Sequence, residues 1–149
     1  MNNVFPYPLY KKHGINVCLG TDGAASNNNL SMFDTMKAAA LIQKHHNNNP
    51  TLLPAEECFG LATLNGFRCF GLDGGIIKEE KLADFCLVNL RVPELVPSYN
   101  LISDLVYAAN SSCVDTVICD GNILMHERKV KDEDKIIDDA KKAAEDFLG

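Results

Sequence analysis

The chain has 149 residues, 46% of them hydrophobic and 23% charged, which is enough for one domain with a real core and unlike a disordered or fibrous composition. A formal charge of -6, with fourteen Lys and Arg residues scattered among acids, leaves no basic stripe for nucleic acid. No apolar run reaches the roughly 18 residues of a membrane span, MNNVFPYPLY is not a basic-then-apolar leader, and the six cysteines lack CxxC spacing, so we expect a cytoplasmic, non-membrane chain with reduced, buried thiols.

Residues 1–10 carry Pro6 and Pro8 among aromatic and polar residues, which predicts a connecting segment rather than a helix or central strand. Residues 15–19 are a short apolar run between Gly14 and Gly20, suited to a strand buried on both faces of a parallel sheet. After a polar loop over residues 20–29, Leu30, Phe33, Met36, Lys37, Ala40, Leu41 and Lys44 step by three and four, predicting a helix that ends near HHNNNP. A second helix should start at Pro54, with Glu56 and Glu57 at its positive end, and Asn65 and Gly66 should divide it into two short helices before the glycines at 71–75.

From Leu82 the pattern changes. LADFCLVNL reads as a strand, NLISDLVYAAN as a helix, and Asp120-Gly121 between two apolar runs is a strong hairpin signal. In the tail, Ile136, Ile137, Ala140, Ala144 and Phe147 line one side of a terminal amphipathic helix. The expected organisation is a strand-loop-helix portion over 1–75, strands with an intervening helix over 76–130, and the terminal helix over 131–149. The strands at 15–19 and 82–90 have too few partners within the chain to cover their edges, which predicts self-association.

Asp22 stands where a strand gives way to a glycine-flanked loop, the end from which reactive groups project in α/β sheets and barrels. Gly20 and Gly23 would allow the unusual dihedrals needed to aim its short side chain. Asp beside Gly also caps turns, so both roles stay open. Asn29 or Ser31 can cap the following helix, while Ser26, Asn27 and Asn28 are candidates for substrate contact. The histidines, His13, His45, His46 and His126, show neither helical i,i+4 pairing nor a His-x-His strand pattern, and so read as exposed or capping residues. There is no GxSxG elbow and no phosphate-cradling glycine loop.

GINVCLGTDGAASNNNLSMFDTMKAAALIQK, residues 14–44, resembles the eighth-strand region of the amidohydrolase superfamily, most closely its methylthioadenosine and S-adenosylhomocysteine deaminases. ATLNGFRCFGLD, LADFCLVNL and NLISDLVYAANSSCVDTVICDGNILMHERKV follow in that family's order, so the resemblance covers nearly the whole chain. It implies an α/β fold: the last strand and helices of a metal-dependent (β/α)8 barrel, plus the C-terminal strands of a small β-sandwich. Asp22 would match the aspartate that binds the metal and handles the proton of the hydrolytic water. The implied cofactor is a divalent zinc or iron, and the implied substrate an adenine-type nucleoside that releases ammonia.

The family's His-x-His, its two later metal histidines and its substrate-selecting acid and arginines have no counterpart in this sequence. Glu80 stands where the family usually has a turn glycine. The expectation is therefore a C-terminal portion that needs an N-terminal barrel segment as its partner, and that alone neither holds catalytic metal tightly nor turns over substrate. Alternatives are a chlorohydrolase or guanine-deaminase relative, or a non-catalytic structural or interaction fragment.

Overall fold

The computed structural model describes residues 4–149. The elements run α1 (Tyr7–Lys12), α2 (Met32–His46), α3 (Ala55–Ala62), α4 (Leu64–Phe70), β1 (Phe85–Val88), α5 (Leu101–Tyr107), β2 (Val114–Cys119), β3 (Asn122–His126), β4 (Lys129–Val130) and α6 (Glu133–Leu148).

The predicted connecting segment contains a helix. Pro6 and Pro8 sit at the start of α1, where a missing N–H costs nothing because the first turn has no carbonyl to bond to, and Lys11 and Lys12 occupy the negative end. Of that segment, residues 1–3 lie outside the described residues.

The predicted strand over 15–19 is not a strand here. Ile15 is exposed and Val17, Cys18 and Leu19 are only half-buried, because no neighbouring strand among the described residues supplies a ladder. Side-chain and backbone bonds hold the segment instead. Leu19 N–H donates to Leu61 O at 2.9 Å, and the Asn65 amide donates to Val17 O at 2.9 Å.

Helix α2 begins and ends where its periodicity predicts. Ser31 is the cap, its Oγ accepting from Asp34 N–H at 3.3 Å, and the Asn29 side chain braces the cap by accepting from Ser31 N–H at 2.8 Å. Helices α3 and α4 are separate, as expected, but the break falls at Thr63 (φ -127°, ψ -99°) rather than at Asn65 and Gly66, which both lie inside α4. Gly71 in the left-handed region ends α4, the usual role of a glycine just past a helix.

One core joins these helices. Tyr7, Met36, Ala40, Leu53, Ala55, Cys58, Leu61 and Val106 form a buried cluster, so α5, late in the chain, closes a core begun by α1, α2 and α3. Each fully buried aliphatic side chain contributes about 1.5–3 kcal/mol, and Val106 and Leu53 are both at 0–1% exposure. Lys44 ties the same elements by polar bonds: its Nζ donates to Leu52 O, Leu53 O and the Tyr107 hydroxyl at 2.9, 2.7 and 3.0 Å. A second cluster of Leu95, Leu105, Ala109 and Cys113 shares Phe33 and Phe59 with the first.

The four strands form one antiparallel sheet in the order β1-β2-β3-β4. Asp120 (φ 47°) and Gly121 (φ 73°) make the predicted hairpin turn, both central residues left-handed as a type I′ turn requires. A second such turn, Glu127-Arg128 (φ 47° and 62°), leads to β4. Arg128 is held there by donating from one guanidinium nitrogen to the carbonyls of Ser111, Ser112 and Val114. Helix α6 follows with its whole length exposed.

Candidate functional site

The loop over residues 20–29 is built from local bonds. Ser26 and Asn27 N–H both donate to Gly23 O, at 3.0 and 2.9 Å, closing a single helical turn. The Asn27 amide reaches back to Thr21 O at 2.8 Å and fastens the two ends of the loop together. Asn29 bridges onward, donating to the Asp34 carboxylate at 2.6 Å. The run of asparagines is therefore largely a scaffold: Asn27 and Asn29 each span a turn that a hydrophobic residue could not.

Asp22 lies at the head of this loop and is exposed. Its backbone is left-handed, φ 64°, whereas neither Gly20 nor Gly23 has positive φ. The unusual dihedral is thus carried by the acid itself, which Asp tolerates better than most residues because its side chain bonds locally. Here Oδ1 accepts from Gly23 N–H at 2.7 Å. A methyl group added at Gly20 or Gly23 would meet nothing within 4 Å, so space around the acid is open on both sides.

A cleft of about 330 Å³ adjoins the loop, lined by Gly20, Asn27, Asn29, Ser31, Asp34 and Thr35 among others. Of the sequence candidates for substrate contact, Asn27 lines it and Ser26 and Asn28 do not. A larger apolar cleft of about 460 Å³ runs along residues 17–20 against Tyr7, Ile42, Gln43, Leu53 and Leu61. At the opposite end of residues 14–17, Glu57 accepts from both the Tyr7 hydroxyl and Lys11 Nζ, the latter at 2.7 Å. Burial, and then that hydrogen bond to Glu57, push the Tyr7 phenol well above its ordinary value.

The histidines stand apart from Asp22. His13 ends α1, His45 and His46 occupy the last turn of α2, and His126 lies on β3 with Nδ1 3.2 Å from Thr116 Oγ1. Among the described residues no group of three or more His, Cys, Asp or Glu side chains could hold a metal ion. One exposed carboxylate does not satisfy a divalent ion, which takes four or so donors, so among the described residues Asp22 offers one ligand and not a whole shell.

Residues 3–124 match the amidohydrolase family, and the chain belongs to that family. Its relatives narrow the likeness. The chain is 50% identical over 143 residues to a 5'-deoxyadenosine deaminase of Methanospirillum hungatei, covering 96% of this chain and 32% of the relative. It is 51% identical over 146 residues to a 5-methylthioadenosine/S-adenosylhomocysteine deaminase of Archaeoglobus fulgidus, covering 96% of this chain and 35% of the relative. The crystal structure of an adenosine deaminase from Xanthomonas campestris with bound zinc superposes with a TM-score of 0.89 at 33% identity, over 96% of this chain and 34% of the other. The chain thus spans about a third of the length of the proteins it matches. Its fold is α/β, matched as a partial piece of amidohydrolase barrel enzymes, with a four-stranded antiparallel sheet.

Proposed function

We propose that this chain forms the C-terminal third of a hydrolytic deaminase that replaces the exocyclic amine of an adenine-type nucleoside with oxygen. The observation that carries the reading is identity near 50%, across almost the entire chain, to two relatives named as deaminases of adenine nucleosides.

In this reading Asp22 is one ligand of a metal centre whose remaining donors come from residues beyond this sequence. When bound, a divalent metal such as zinc or iron supplies the acidity that lowers the pKa of a water. Asp22 has the oxygen needed for the accompanying proton transfer: Oδ1 is occupied by Gly23 N–H, which orients the carboxylate and leaves Oδ2 to accept the proton of the attacking water. With the metal in place, Asp22 would pass the proton it holds to the leaving amine as the C–O bond forms and the C–N bond breaks, releasing ammonia. Asn27, tied to Thr21 O, holds the loop on which the acid sits and lines the adjoining cleft, whereas Ser26 and Asn28 lie outside it. The strand role expected for residues 15–19 belongs to this assembled state, where an N-terminal barrel segment would flank them. Without that segment, the open sides of residues 15–19 and of β1 favour self-association.

A chimera tests the reading: the Methanospirillum relative with its matching C-terminal third replaced by this chain. The chimera should deaminate 5'-deoxyadenosine or methylthioadenosine, and Asp22→Asn, which keeps the shape and the Gly23 bond, should lower kcat by about 100-fold or more. A folded chimera in which Asp22→Asn leaves turnover intact would sink the assignment of Asp22.

A further inference from the structure

Residues 16–18 run against one face of α4. The Asn16 amide donates to Asn65 O at 3.0 Å and to the Cys69 sulfur at 2.9 Å, and the Asn65 amide donates back to Val17 O at 2.9 Å. Asn65 and Cys69 are four residues apart on the helix and so share that face. Three bonds thereby fix the backbone beside Cys18 against the turn of helix that carries Cys69.

These bonds lay the segment that carries Cys18 alongside the helical turn that carries Cys69. A side-chain hydrogen bond with Cys69, followed by burial, raises the pKa of Cys18 above its ordinary value. Cys69 is exposed and Cys18 half-buried. The other four cysteines have different surroundings: the Cys58 thiol donates to Met36 O and Cys113 lies against Asn110, both buried, while Cys86 and Cys119 are exposed on β1 and β2.

We propose that Cys18 and Cys69 are a reversible dithiol–disulfide site, oxidised by a low-molecular-weight disulfide of the glutathione class. Cys69, the exposed member, attacks first. As its thiolate bonds to one sulfur of the reagent, the reagent's S–S bond breaks, and the released thiolate takes up the proton that Cys69 gave up. The Cys18 thiolate then attacks the Cys69 sulfur and expels the second reagent thiolate, which is protonated in turn. Two cysteines are oxidised to one disulfide and one reagent disulfide is reduced to two thiols. Cys18, half-buried and less open to a bulky reagent, suits the second step, in which the partner sulfur is brought to it. The cross-link staples the segment leading into the Asp22 loop to α4, reinforcing the Leu19–Leu61 bond at the entrance to that loop.

The test uses the reduced full-length chain in graded mixtures of reduced and oxidised glutathione, quenched by acid, alkylated and mapped by mass spectrometry. The expected result is one dominant cross-link, Cys18–Cys69, with the other four cysteines alkylated and the cross-link reversed by reductant. Cys18→Ser should stop at a glutathione adduct on Cys69, and Cys69→Ser should slow modification of Cys18 at least about ten-fold. Urea, added to the wild type as an unfolded control, should abolish the selectivity. A wild type that stops at the Cys69 adduct, or that cross-links Cys86 or Cys119 as readily while folded, would overturn the proposal. No readout depends on deamination, so failure here and failure of the deaminase reading are separable.

Discussion

Glu80→Gly should stabilise this protein, and the size of the gain follows from one turn. Lys81 N–H donates to Lys78 O at 3.3 Å, and of the two residues between them Glu80 alone has positive φ, 65°. That is the third position of a type II turn, which favours glycine because a Cβ in the left-handed region crowds its own backbone. A non-glycine residue there carries about 1–2 kcal/mol of strain. Glycine removes the strain but loses about 0.5–1 kcal/mol more backbone entropy on folding. The net gain is centred on about 0.7 kcal/mol, between zero and about 1.5, and the central value raises the melting midpoint of a chain of this size by about 1–3 °C. Thermal and urea unfolding of the wild type, Glu80→Gly and Glu80→Ala would measure it. The alanine variant removes the charge beside Glu79 and keeps the strain, so it should gain little. If Glu80→Gly melts at or below the wild type, or if alanine gains as much as glycine, the backbone explanation is wrong.

Alkaline stability offers a second check. Burial pushes the Cys58 thiol up to about 11 and raises the Tyr7 phenol above its unfolded value. Both groups therefore lose their protons more readily when unfolded, so their stabilisation is complete below about pH 9 and falls as pH rises towards 11. Urea unfolding between pH 8 and 11 should show that slope, and Tyr7→Phe or Cys58→Ala should flatten it. Self-association is a third: sedimentation of the isolated chain should show a shift to dimers or larger species with concentration, and a compact monomer at high concentration would remove edge exposure as its cause.

The elements legible in the sequence were those whose signal is local. The three-and-four stepping of α2, the Pro54 start of α3 and the Asp120-Gly121 turn each rest on a few adjacent residues, and each appears where expected. Residues 15–19 failed as a strand because strand identity is not local: an apolar run needs a flanking ladder, and none is described. Helix α1 was missed because two prolines were read as breakers when they stand at a helix start, where they are tolerated. The exposed turn at Glu127-Arg128 carried no signal, since neither residue advertises a left-handed backbone. At the candidate site, Asp22 could be proposed from its position and flanking glycines. Its own positive φ and the scaffold bonds of Asn27 and Asn29 could not, because several equally polar residues compete for those roles.

The placement of α5 bears on when this protein can fold. Val106 belongs to the same buried cluster as Tyr7 and Met36, and Tyr107 completes the bonds of Lys44. On a ribosome, α1, α2 and α3 emerge long before their last packing partner, and until residue 107 clears the exit tunnel the cluster lacks one wall. Nascent chains in which residue 107 has not yet emerged would therefore expose the apolar flank of α2 and α3, the kind of surface that chaperones hold. Closure then depends on synthesis reaching α5, so the helical cluster is finished by a helix made among the sheet strands.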